Sequence, residues 1–91
     1  MGNGFESIIL PNSITTISHD TFQSCGKLKT VDIPNSVTSI DQCAFAWCSN
    51  LNTINYSGTM SQWNSISKHS EWNMDCPEIT VYCTDGDISL N

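Results

Sequence analysis

Five cysteines, two histidines and nine carboxylates are the residues of this 91-residue chain best suited to chemistry. Thiolates and imidazoles bind soft metals. Yet Cys25, Cys43, Cys48, Cys76 and Cys83 form no C-x-x-C pair and no cluster with His19 or His69, so the ligand spacing of a zinc site is missing. An odd number of cysteines leaves at least one thiol free or paired between chains. Cys76 and Cys83 bracket residues 77–82 and could close a small disulfide loop. Asp75, Glu78, Asp85 and Asp87 are oxygen donors for calcium, but the ion takes about six or more oxygens and no EF-hand spacing is present; Asp85-Gly86 reads more simply as a turn. No serine lies in a G-x-S-x-G elbow, and the order of Ser, His and Asp suggests no triad. No catalytic residue, metal ligand or cofactor is assigned on these grounds.

The elements that would have to position such groups repeat every 23 residues. Residues 5–27 align with 28–50: Pro11-Asn12-Ser13 falls on Pro34-Asn35-Ser36, and Thr15, Ile17, Phe22 and Cys25 fall on Thr38, Ile40, Phe45 and Cys48. Ile8, Leu10 and Ile14 fall on Val31, Ile33 and Val37, which keeps hydrophobic character where identity is lost. A third copy begins at Leu51, with Ile54 and Tyr56 in register, and breaks off after Ser57. Such a period marks a solenoid, whose units bury their apolar sides only by stacking on neighbours. Cys25 and Cys48, locked to the repeat, are most simply small buried hydrophobes in a ladder; a disulfide is the alternative. Carboxylates can meet in three dimensions to hydrolyse a glycoside, but two and a half repeats imply no cleft.

Each unit reads LxxVxIPxSVTSIxxxAFxxCxxL, from Leu28 through Val31, Ile33, Pro34, Ser36, Val37, Thr38, Ser39, Ile40, Ala44, Phe45 and Cys48 to Leu51. This resembles the BspA-type leucine-rich repeat of bacterial and protist surface proteins, over Phe5 to about Ser57. The tail, with Gly58, Gln62, Trp63, Ile66, Trp72, Val81, Cys83, Asp85 and Gly86, is similar to the C-terminal capping segment of many such proteins. Ser18 and Asp41 stand where the family usually has glycine, and Cys43 and Cys76 are not required by the pattern. The resemblance implies a right-handed, mainly β coil with a parallel sheet and short helical turns, closed by a cap with one short helix. It also implies adhesion at a cell surface and binding of a host protein.

Composition narrows the partners. Formal net charge is −6, from nine acids against three lysines and no arginine. Nucleic acid needs basic side chains to displace counterions, so it is excluded, and an anionic membrane surface with it. No apolar run approaches the roughly 20 residues of a membrane span. Residues 1–4 lack the cationic start and apolar core of a signal peptide. The expectation is a fragment of a surface or secreted protein: residues 1–4 a leader or expression remnant, 5–58 two and a half repeats, 59–91 the cap. A natural short reading frame is the alternative.

Alternation of period two predicts strands at 8–10, 31–33 and 54–56, with Val31 and Ile33 inward and Thr30 and Asp32 outward. Proline then ends each strand by removing a donor. Residues 37–40 should form a short extended segment on the opposite wall. Residues 44–48 suit one helical turn, with Phe45 in the core. Gly58-Thr59 offers a cap for an amphipathic helix over 60–67 lying across the open end, carrying Trp63 and Ile66 inward. Residues 79–81 should close the parallel sheet, and 88–90 should double back as an edge segment.

The candidate binding residues are therefore Ser7, Ile9, Thr30, Asp32, Thr53 and Asn55, on the outward sheet face; a plain solvated face is the competing reading. Ile9 is the exception among its polar neighbours and suits a partner contact. Trp47 occupies the variable position matched by Ser24, so it either packs on the cap or anchors an interface, where tryptophan is enriched. Trp63 and Trp72 are expected in the core. Phe5, Ile8, Leu10 and Ile14 would lie on an uncapped N-terminal edge, a pairing liability and a route to a homodimer. The leading function is a non-enzymatic protein-interaction module of adhesion type. The alternative is a structural cap for a longer solenoid, with binding located upstream.

Overall fold

The 23-residue period becomes one coil of a β-solenoid. In the computed structural model, which describes residues 6–90, Ser7 pairs with Thr30 and Thr30 with Thr53 in parallel register. The elements are β1 (Ser7–Ile9), β2 (Thr16–Ile17), β3 (Thr30–Ile33), β4 (Ser39–Ile40), β5 (Thr53–Tyr56), α1 (Met60–Ser65), β6 (Ser67–Lys68), β7 (Ile79–Cys83) and β8 (Gly86–Leu90). They form a five-stranded sheet in the order β1-β3-β5-β7-β8 and a three-stranded sheet in the order β2-β4-β6. All neighbours are parallel except β7 and β8. Residues 37–40 thus supply the opposite wall, residues 79–81 continue the parallel sheet, and 88–90 double back, as the sequence pattern predicts.

Proline turns the chain between the walls. Pro34 follows the last residue of β3, and its carbonyl accepts from Val37 N–H at 3.2 Å; Pro11 and Ile14 repeat the turn one coil earlier. Between the coils, Ser36 Oγ donates to the Ile14 carbonyl at 2.7 Å. A short side chain here ties neighbouring turns together without needing a strand.

The segment at 44–48 is not a helical turn. Its N–H groups alternate between two kinds of partner. Ala44, Ala46 and Cys48 bond back to Asp41, Cys43 and Phe45, while Cys43, Phe45 and Trp47 bond across to Glu71, Trp72 and Met74. The first coil repeats this alternation from Asp20 to Cys25. The result is a ladder of tandem turns, and it needs left-handed backbone at Asp20, Ser24, Cys43, Trp47 and Asp75, all with φ near 60°. A helix cannot hold such residues, because the left-handed conformation breaks its hydrogen-bond run.

Nor does the third coil stop after Ser57. It takes in α1 as an insertion and then resumes: Ser39 pairs with Ser67, 28 positions on rather than 23. The tandem turns follow at residues 69–76, with Trp72, Met74 and Cys76 bonding back to His69, Glu71 and Asn73. Helix α1 is bounded by a capping box between Thr59 and Gln62. Its first N–H, from Met60, is taken by Asp85 Oδ1 at 2.8 Å. Asp85 lies in the two-residue loop between Cys83 and Gly86, so one carboxylate holds α1 against the β7–β8 hairpin. Gly86 begins β8 at φ 152°, a conformation that strains any residue with a Cβ, and the tip of the Met60 side chain packs over it, 2.9 Å from where a Cβ would stand.

The core is an aromatic column flanked by aliphatics. Phe22 and Phe45 stack with centroids 5.2 Å apart, and Phe45 meets Trp72 edge-on at 6.1 Å. Trp63 reaches down from α1 onto Trp72 and Tyr56. Leu28, Val31, Leu51, Ile54, Ile79 and Val81 are fully buried beside it. Each such side chain contributes about 1.5–3 kcal/mol of burial, and Val31, Ile54 and Val81 repeat one inward position in register from strand to strand. No buried polar or charged residue occurs among the described residues.

Candidate functional site

The parallel register lines up the outward residues of the large sheet in two rows. One is Ser7, Thr30, Thr53, Thr80 and Ser89, a run of hydroxyls; the other is Ile9, Asp32, Asn55, Tyr82 and Asp87. All six candidates read from the sequence stand here together. Adjacent strands lie about 4.8 Å apart, so each row spans about 19 Å. Asn55 Nδ2 donates to Asp32 Oδ1 at 3.0 Å, and Thr53 Oγ1 bonds Asn52 Oδ1 at 2.9 Å. At the C-terminal ends of these strands a groove of about 250 Å³ is lined by Ile9, Asn12, Asp32, Pro34, Asn55 and Ser57 among others. Ser57 Oγ accepts from Asn35 N–H at 2.8 Å, which fixes one wall.

Tyr82 extends the row beyond the candidates read from the sequence, and its signal is that it follows Val81, so that period two turns it outward. It is 44% exposed, and Ile9 in the same row is 77% exposed. Two of the three exposed large apolar side chains among the described residues thus share one row.

The third is Trp47, 42% exposed. It belongs to the turn ladder, not to the sheet face, and it is in register with Ser24 and Asp75. Its position varies because it is a left-handed backbone position whose side chain leaves the core. Of the edge residues, Phe5 lies outside the described residues. Leu10 is buried, and Ile8 and Ile14 are half-buried against the core. Leu10 and Ile14 line a cavity of about 200 Å³ with Pro11, Ile17 and Phe22 at the N-terminal end.

The remaining chemical groups are structural in placement. No disulfide joins the five cysteines. Cys48 Sγ donates to the Phe22 carbonyl and Cys76 Sγ to the Phe45 carbonyl, each at 3.0 Å, which continues the ladder of Cys25 and Cys48 into the third coil. Burial pushes the Cys25 thiol up. The hydrogen bond with Cys76, and then burial, pushes Cys48 up, while the same hydrogen bond holds Cys76 below the usual thiol range. Burial, then Asp85 and Asp87, raises Cys83. His19 and His69, distant in sequence, line one groove with Asp41 and Gln42. His69 Nδ1 accepts from Glu71 N–H at 3.1 Å, and His19 Nδ1 lies 3.4 Å from Asp20. Among the described residues no group of three or more His, Cys, Asp or Glu side chains is placed to hold a metal ion, and no helix is long and apolar enough to cross a membrane.

Compared with known proteins, residues 2–85 match the model of a family described as "BspA type Leucine rich repeat region (6 copies)". No curated protein and no solved structure gives a significant match.

Proposed function

The chain belongs to the BspA-type leucine-rich repeat family, and on that premise we propose that it is an adhesion-type module that docks a protein on the outward face of its five-stranded sheet. Repeats of this type generally serve in protein interaction rather than catalysis, and typically on cell-surface or secreted proteins. The observation that carries the reading is the row Ile9–Asp32–Asn55–Tyr82: two exposed apolar side chains flank a hydrogen-bonded polar pair beside a groove. Exposed apolar residues scattered singly need no explanation; two on one rigid row, in register, do.

The face is small. About 19 Å across and some five residues long, it offers roughly 300–350 Å², against about 800 Å² per partner in a stable complex. A single module therefore binds weakly, and display of many copies multiplies that through avidity. The test is biolayer interferometry of the chain, tetramerised on streptavidin, against a panel of purified cell-surface and extracellular proteins. Tyr82→Ala and Asn55→Ala should each lower binding to any retained protein, while Thr16→Ala on the small sheet leaves it unchanged. Retention by all three variants refutes the reading.

One feature favours the structural alternative, in which residues 59–91 cap a longer solenoid and binding lies upstream. Strand β8 reverses direction and α1 is pinned beside it by Asp85, which blunts the end at which a further parallel coil would add. A folded chain that retains nothing from the panel supports that alternative.

A further inference from the structure

The docking reading leaves the chemistry of the partner open, and two side chains at the C-terminal end of the face narrow it. We infer that Tyr82 and Asp87 form a seat for an arginine side chain of the partner protein; this rests on the sheet face being the docking surface. Tyr82 and Asp87 are direct cross-strand partners in the β7–β8 hairpin. Residues so placed hold their Cβ atoms about 4.5–5.5 Å apart on one side of the sheet. Both are exposed, and neither side chain makes a hydrogen bond or ion pair among the described residues.

Charge selects a cation. The two outward rows carry Asp32 and Asp87 and no lysine. Asp32 already accepts a hydrogen bond from Asn55, so Asp87 is the carboxylate left for a ligand. None of the three lysines is placed to neutralise it, and the chain has no arginine: Lys27 stands just ahead of β3, three strands from β8 in the sheet order, Lys29 lies 3.9 Å from Glu6, and Lys68 is turned inward over the Trp63 ring with bonds to the Trp63 and Ile66 carbonyls. The surplus of acids that leaves a net charge of −6 adds a long-range pull on any basic partner.

Geometry selects arginine over lysine. A guanidinium is planar; it can lie on the Tyr82 ring while its edge meets the Asp87 carboxylate with two parallel N–H bonds. An ammonium is a hydrated point charge and can satisfy one of these contacts well but not both. Tyrosine and arginine are also the side chains on which binding energy concentrates at protein interfaces.

The experiment titrates the 15N-labelled full chain with Nα-acetyl-arginine methylamide, and separately with the citrulline analogue, which has the same shape and no charge. Saturable amide shifts are expected at Tyr82, Cys83, Gly86 and Asp87, at least tenfold weaker with citrulline, absent in Asp87→Asn and in Tyr82→Ala, and retained in Asp41→Asn. Asp87→Asn is exposed and isosteric, so a dispersed spectrum shows that it folds. Equal shifts with citrulline, equal response at Asp41, Glu71 and Asp75, or survival of the shifts in Asp87→Asn would each overturn the seat. So would a neutral disaccharide such as maltose that saturates the same amides when arginine does not. A panel protein whose footprint covers the sheet face, but whose affinity Asp87→Asn leaves unchanged, overturns the arginine seat and leaves the docking reading standing.

Discussion

Glycine at position 47 should make the chain more stable than alanine does, and the size of the difference follows from one backbone angle. Trp47 sits at φ 58°, in the left-handed region. That conformation costs a residue with a Cβ about 1–2 kcal/mol, and glycine escapes the cost. Glycine loses about 0.5–1 kcal/mol more than alanine in chain entropy on folding. At the middle of both ranges the balance favours Trp47→Gly over Trp47→Ala by about 0.7 kcal/mol. Both variants lose the same indole, so whatever the ring contributes cancels. Ala46, the preceding residue, is buried and not left-handed. Ala46→Gly should therefore lose about 0.5–1 kcal/mol, the opposite sign. Urea melts read both. With a slope of about 1 kcal/mol per molar for a chain this small, the two position-47 variants should differ by about 0.7 M in midpoint. If Trp47→Ala is as stable as Trp47→Gly, the tandem-turn ladder is wrong at this residue, and with it the reason given for the variability of the position.

Trp63→Ala removes a fully buried ring that packs on Tyr56 and Trp72; a loss of about 3–5 kcal/mol is expected, most of the stability of a small domain, and a thermal midpoint lowered by only a degree or two would show that the ring is not core. Alkylation at pH 7.5 followed by peptide mass mapping should modify Cys76 first and Cys25 and Cys48 last, since Cys76 is half-buried with a depressed pKa and the others are buried with raised ones. Because burial raises Cys25 above its usual 9.0, the folded state keeps a proton that the unfolded chain gives up; that stability is present below pH 9 and is lost as pH rises beyond it, and Cys25→Ala should flatten the alkaline limb of a stability curve. The chain should self-associate through β1, an edge strand with no charged residue in Ser7–Ile9: sedimentation velocity should show a concentration-dependent species that Ile14→Asp abolishes, and a monomer at all concentrations would refute it.

Much of the fold was readable because stacking makes it redundant. Val31, Ile33, Ile54 and Val81 recur at the period of a coil and alternate at the period of a strand, so position along the solenoid and direction of each side chain come from the same residues. Gly58-Thr59 marks the helix start through side-chain chemistry local to the turn, and the structure adds Gln62, which completes a capping box there. The turn ladder was not readable. Left-handed residues are usually flagged by glycine or asparagine, and here Asp20, Ser24, Cys43 and Trp47 fill the positions. The return of the third coil was hidden because the insertion of α1 shifts it by five residues relative to the period. Trp72 then follows Phe45 in the aromatic column and Cys76 follows Cys48 in the thiol ladder, both out of step. On the candidate face, periodicity identifies the outward residues of the three repeat strands and carries the row as far as Asn55. Tyr82 and Asp87 lie beyond the repeat, in a hairpin whose register is set by the loop at Thr84 and Asp85 rather than by periodicity.

The central claim, that the outward face of the large sheet is where a protein docks, is tested most directly by the footprint of a bound partner. The measurement is the loss of backbone amide intensity across the 15N-labelled chain on adding a panel protein retained by interferometry. The predicted footprint follows the row Ile9, Asp32, Asn55 and Tyr82 with its hydroxyl neighbours Thr30, Thr53 and Thr80, and spares Asp41, Trp47 and Asp75. A footprint centred on the turn ladder or the small sheet, with the amides of Asp32, Asn55 and Tyr82 unperturbed, would contradict it.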